Sequence, residues 1–158
     1  MNGLRAALVS RFEELTGELL FHHKPDASAD PTAAPQVING SLEPPRAGSW
    51  EEAADYPFIR VALYTGSFCA RMPLKCEAVA YAGIWTPGTV QDGDNDIFTL
   101  LTAMDGIVEQ PRFTPWLLSE VVHWTVGLQD KGLEGMQRHP FHYGALFMEF
   151  TASRGASR

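Results

Sequence analysis

The chain has 158 residues, 45% hydrophobic and 20% charged, which are the proportions of a single globular domain rather than a disordered polymer. Twelve Lys and Arg against nineteen Asp and Glu leave a net charge of −7, which disfavours a nucleic-acid or anionic-membrane surface. No apolar run reaches the length of a membrane span, the first ten residues lack a signal-peptide layout, and two cysteines make no disulfide framework, so an intracellular origin is expected.

The first predicted element is an amphipathic helix from Asn2 to Leu20. Leu4, Leu8, Phe12, Leu15 and Leu19 recur every three or four residues, with Arg5, Arg11, Glu13, Glu14 and Glu18 on the other side. Gly17 weakens its last turns. Six of the eleven prolines then fall between Pro25 and Pro57, which excludes a long helix or a central strand there. A short extended piece at Gln36–Ile38, before the turn signal Asn39-Gly40, fits this stretch. The rest reads either as a linker or as an arm that orders against a partner.

From Phe58 the pattern turns strand-like. Phe58 to Tyr64 is short, apolar and aromatic, closed by Gly66. Leu74 to Trp85 alternates, with Cys76, Ala78, Ala80 and Ala82 on one face and Glu77, Val79 and Tyr81 on the other. These two runs are expected to pair antiparallel. The run Asp92-Gly93-Asp94-Asn95-Asp96 reads as a loop leading into a second helix, capped by Asp94 or Asn95. Ile97, Leu100, Leu101, Met104, Ile107 and Val108 form its apolar stripe, and Pro111 stops it. Two further strands follow, Glu120 to Leu128 and Gly144 to Thr151, separated by a polar loop from Asp130 to Arg138. In the first of them Val122, Trp124, Val126 and Leu128 alternate with His123 and Thr125. The order of elements predicts an α+β fold: one small domain over residues 1–152, its helices packed on a mostly antiparallel or mixed sheet. A long Pro-rich loop over 25–57 follows the first helix, and 153–158 form a flexible tail.

Chemical motifs are weak. Asp92, Asp94 and Asp96 match the first ligands of a calcium loop, but the required Gly and terminal carboxylate are replaced by Ile97 and Ala103. His22, His23, His123, His139 and His142 do not follow zinc spacing, and neither do Cys69 and Cys76. No Gly-x-Ser-x-Gly elbow, P-loop or dinucleotide fingerprint occurs. Trp50, Trp85, Trp116 and Trp124 read as core or interface anchors rather than a binding box. No metal, cofactor or catalytic set is assigned on these grounds.

A resemblance enters with the second half of the chain. Val79-Ala80-Tyr81-Ala82-Gly83-Ile84-Trp85, an acidic Gly-containing loop, and the helix Asp96 to Ile107 come in that order. A Trp-bearing strand at Trp124 and the element Arg138-His139-Pro140-Phe141-His142-Tyr143-Gly144 follow them, and Tyr56-Pro57-Phe58-Ile59 precedes them. This series resembles the tail terminator or tail completion family of long-tailed bacteriophages. It departs where that family usually has Gln (His139) and a second Pro (His142), and its helix lacks the usual basic residues. The resemblance implies a non-enzymatic structural protein of the virion, at the head-proximal end of the tail. Such a protein forms a sixfold ring that caps the tail tube, ends its polymerisation and joins the neck. Its implied partners are copies of itself, the tube protein and a neck or connector protein, with DNA passing through the lumen. No cofactor is implied.

A ring contact needs exposed anchors, and the candidate interface residues are Trp50, Phe68, Trp85, Asp92, Asp94, Phe141, His142 and Tyr143. A neck subunit of the same particle is the first alternative. A metal- or thiol-dependent enzyme using His123, His139, His142 and a cysteine is the more remote one.

Overall fold

A computed structural model describes residues 2–24, 30–40, 55–67, 74–127 and 137–152. Trp50, Phe68, Cys69, most of the Pro-rich segment, residues 128–136 (most of the stretch expected as a polar loop) and residues 153–158 (expected as a flexible tail) lie outside these described residues. The elements run α1 (Asn2–Thr16), β1 (Gln36–Asn39), β2 (Phe58–Ser67), β3 (Leu74–Trp85), α2 (Val90–Asp105), a 3₁₀ turn (Gly106–Glu109), β4 (Arg112–Phe113), β5 (Trp116–Val126) and β6 (Phe141–Ala152). The fold is α+β, as the order of elements predicts.

The six strands form one sheet in the order β1-β2-β3-β6-β5-β4. β1 runs parallel to β2, and every other neighbouring pair is antiparallel. β3 and β6 pair along their whole length, from Leu74 opposite Ala152 to Trp85 opposite Phe141, and make the centre. Both helices lie on one side of this sheet. α1 covers β1 and β2, and α2 covers β3 and β6. The side chains that β3 turns toward α2 are mostly small: Cys76, Ala78, Ala80 and Ala82 are all buried. Small groups there let Ile97, Leu100, Leu101 and Met104 of α2 approach closely without overpacking. Leu4, Leu8 and Phe12 of α1 complete this core with Ile59, Val61, Leu146, Met148 and Phe150. Each such side chain contributes about 1.5–3 kcal/mol by leaving water.

Several element boundaries depart from the sequence reading. α1 stops at Thr16 rather than Leu20. The Thr16 hydroxyl donates back to the Phe12 carbonyl at 2.7 Å, and Gly17 follows. Phe21 instead bridges Ala33, and Leu19 remains packed on the core from outside the helix. β2 continues through Gly66 to Ser67, with a register shift between Leu63 and Thr65 that absorbs the irregularity. The extended piece before Asn39-Gly40 is a true edge strand, and Gly40 takes φ +99° as it leaves it. β4 has no counterpart in the sequence reading, and β5 begins at Trp116 rather than Glu120. β6 begins at Phe141 rather than Gly144, so all of the Pro-Phe-His-Tyr element but Pro140 belongs to the strand.

The largest correction concerns α2. The acidic run read as a loop lies inside the helix, which starts at Val90. Thr89 is the N-cap: its hydroxyl accepts from the Asp92 N–H at 3.1 Å, and the Asp92 carboxylate accepts from the Thr89 N–H at 2.8 Å. That reciprocal pair is a capping box, and neither Asp94 nor Asn95 caps anything.

Candidate functional site

Because the two helices share one side, the other side of the sheet is uncovered among the described residues. Register places its side chains in rows. Phe58, Arg60 and Ala62 of β2 stand opposite Gly83, Tyr81 and Val79 of β3, which stand opposite Tyr143, Ala145 and Phe147 of β6. His123 of β5 stacks on Phe147, ring centroids 4.9 Å apart and ring planes nearly parallel. Tyr64 and Tyr81 are 55% and 45% exposed, high values for aromatic side chains in a sheet. A depression of about 280 Å³ opens on this face, walled by Phe58, Arg60, Ala62, Tyr81 and Tyr143. Beside it Gly83 lacks a side chain, and the Phe58 ring lies across that position, where a Cβ would collide with it.

At one end of this face the aromatics close into a cluster. The Tyr56 ring, buried, contacts Phe58, Phe141 and Tyr143 at centroid distances of 5.2, 5.4 and 6.2 Å. The Tyr56 and Tyr143 hydroxyls share a hydrogen bond of 2.6 Å. The Lys24 ammonium stands 5.0 Å from the Phe141 centroid and 5.7 Å from that of Tyr56, within cation–π range.

On the helix side of the same end lies a polar chain. His142 is fully buried, and its Nδ1 lies 3.1 Å from an Asp94 oxygen. Its Nε2 lies 3.1 Å from Nδ1 of the exposed His139. Burial pulls the His142 pKa below the ordinary histidine value, against the opposing pull of Asp94, so the ring is neutral at pH 7. The hydrogen-bond roles then follow: His142 donates from Nδ1 to the carboxylate and accepts at Nε2 from His139. Both ring nitrogens are taken, which leaves none to activate a nucleophile. Asp96, partly buried nearby, has its pKa raised chiefly by burial.

The candidate residues thus divide. Trp85, Asp92, Asp94, Phe141, His142 and Tyr143 come together at one end, where β3 finishes, β6 begins and α2 starts. His142 is an internal group of the subunit, so the expectation that it offers itself as a surface contact does not hold for this chain alone. His123 lies on the open side of the sheet, away from His139 and His142, and Cys76 is buried under α2, so among the described residues the set of the remote alternative is not brought together; Cys69 lies outside them. Among the described residues no group of three His, Cys, Asp or Glu is placed to hold a metal ion, and none of their helices is long and apolar enough to cross a membrane.

Of the two readings of Trp124, core or interface anchor, the structure excludes the first, and its partner Phe98 has no place in the sequence reading. Trp124 does not join the core: it is 46% exposed and packs edge-on against Phe98 of α2, itself 49% exposed, at 5.2 Å. Alternation puts Trp124 on the helix side of β5, but α2 does not reach far enough to cover it. The position of Phe98 off the Ile97–Leu100–Leu101–Met104 stripe is the sequence signal that an aromatic was left facing out.

A scan against protein-family models finds no match to this chain, and a search of curated proteins finds no relative.

Proposed function

We propose that this chain is a structural subunit that assembles into a ring capping the tail tube of a long-tailed phage particle. The motif series resembling the tail terminator family suggests the particle. The observation that carries the assembly is the open sheet face, where Tyr64 and Tyr81 present aromatic surface to solvent beside an apolar depression. Aromatic surface of this kind is enriched where proteins meet one another. The acidic charge suits a lumen through which DNA slides without adhering.

The test is the mass of the purified chain by light scattering, alone and mixed with tail tubes of its own particle. A ring-sized species, or binding confined to tube ends in electron micrographs, is expected. Binding to the head-side connector with no affinity for tubes would move the subunit to the neck. A chain that stays monomeric and ignores both would overturn the reading.

A further inference from the structure

We propose that the exposed Phe98–Trp124 pair of one copy seats in the Phe58–Tyr81–Tyr143 depression of a second copy, as a head-to-tail contact that propagates around the ring. This rests on the ring reading above and names the surfaces that would make it. Phe98 and Trp124 are about half exposed and fixed against each other, so they form a rigid apolar knob with little ordering cost on contact. The depression is aromatic and, at about 280 Å³, lies below the roughly 300–1,000 Å³ of small-molecule pockets. One large side chain with its neighbour suits it better than a cofactor does.

Charge favours the same pairing. α2, which carries Phe98, holds Asp92, Asp94, Asp96 and Asp105 and no Lys or Arg. Arg60 is among the residues lining the depression, and Lys24 lies over the neighbouring Tyr56 and Phe141 rings. An acidic helix meeting a basic, aromatic rim is complementary, and Arg60 can also face the incoming indole. The two surfaces occupy opposite sides of one sheet: Trp124 pairs with Leu146 on the helix side, whereas Tyr81 pairs with Ala145 on the open side. A contact between unlike surfaces leaves a free knob and a free depression on every pair, so it continues until rotation closes it. A closed ring is what such a contact makes when the rotation is right.

The experiment uses two full-length variants, Phe98→Ser/Trp124→Ser without the knob and Tyr81→Glu with an acid in the depression. The substituted side chains are about half exposed, and circular dichroism and thermal melting check that each variant folds. Sedimentation and light scattering then read their masses. Wild type is expected to give rings, each variant alone monomers, and the mixture one-to-one pairs and nothing larger. Pairing arises because the intact knob of one variant fits the intact depression of the other.

If wild type assembles only on tube ends, the same three samples are read there, and each variant is expected to lose at least tenfold in end occupancy. Wild-type rings with both folded variants still assembling would overturn this contact and leave the ring reading standing. Loss of assembly by Tyr81→Glu alone would assign the depression to another occupant and overturn the proposal. A wild type that is monomeric up to its solubility limit and indifferent to tubes would overturn the ring itself.

Discussion

The imidazole of His142 lies flat against the bare backbone of Gly93, so closely that a Cβ at position 93 would overlap the ring. The contact locks the start of β6 to the first turns of α2, and the Asp94 carboxylate holds the same imidazole from the side. A glycine that reads as a helix breaker is thus a packing requirement. In an exposed helix Gly→Ala gains about 1 kcal/mol. Here overpacking against a ring held at both nitrogens outweighs that gain. Gly93→Ala is expected to lose about 1–3 kcal/mol net in urea denaturation. His142→Ala should relieve much of that loss in the double variant, giving a coupling energy above about 0.5 kcal/mol. A Gly93→Ala protein more stable than wild type would refute the contact.

His142 also makes stability depend on pH. Its folded pKa is depressed below the ordinary value of about 6.5, chiefly by burial. Above that value both states are neutral and the residue contributes no pH dependence. As pH falls below it, the unfolded chain takes up a proton that the folded chain refuses, so the native state loses stability until pH passes the folded pKa. Asp94 and Asp96 pull it upward without reversing the direction, and His139 pushes it further down. Urea midpoints of wild type and His142→Gln between about pH 7.5 and 5 test this. The variant should show the shallower decline, and equal slopes would mean that another group carries the effect.

The sequence was legible where pattern and environment agree. β3 reads correctly to both ends because its alternation is unbroken and one whole face is buried under helices. The α2 stripe is right from Ile97 to Met104 and on to Ile107, but the helix ends at Asp105, Val108 is exposed in the 3₁₀ turn, and the helix start is missed by several residues. There the local signal, Thr89 with Asp92 three residues on, is a valid capping box that the following Gly and Asp residues disguise. What justifies Gly93 inside a helix is His142, 49 positions away, and no local rule contains it. The candidate site fails likewise: Tyr56 and Tyr143 meet only because β2, β3 and β6 are consecutive in the sheet. Trp124 misleads because alternation tells which side of a strand a residue takes, and not whether a helix covers it.

The capping box predicts a second, more local sensitivity. Thr89→Ala leaves the Asp92 N–H without its acceptor and is expected to cost about 1 kcal/mol at neutral pH. Hydrogen bonds from Thr89 hold the Asp92 carboxyl below its usual pKa. A depressed carboxylate stabilises the fold above its unfolded pKa and loses that contribution as pH falls through the folded one. The penalty of Thr89→Ala should therefore shrink in acid. A loss that is the same at pH 7 and at pH 3 would show that the hydroxyl acts without the reciprocal carboxylate.

Asp96 has the opposite sign. Burial raises its carboxyl pKa, so at neutral pH the folded state carries a charge it holds less well than the unfolded chain does. Asp96→Asn keeps the shape and removes the charge, and is expected to stabilise by up to about 1 kcal/mol at pH 7. The advantage should fade as pH drops through the raised carboxyl pKa, where wild type is protonated too. Differential scanning calorimetry of the pair at neutral and acid pH reads both points. A destabilised variant at pH 7 would mean that burial does not penalise this carboxylate in the folded state.

Cys76 bears on the remaining enzymatic alternative. Its thiol is buried on the α2 side of β3, and burial pushes its pKa above the usual thiol value. Thiolate is the reactive form, so the folded protein should modify Cys76 far more slowly than the unfolded chain does at the same pH. The expected protection is at least a hundredfold in rate, rising as the unfolded fraction falls when urea is withdrawn. Peptide-resolved mass spectrometry after pulsed alkylation separates Cys76 from Cys69. Were Cys76 alkylated as fast in the native protein as in urea, α2 would not cover β3 as described, and a thiol chemistry would need to be reconsidered. Slow modification places Cys76 with Ala78 and Ala80, as a small apolar group whose size lets the helix lie close.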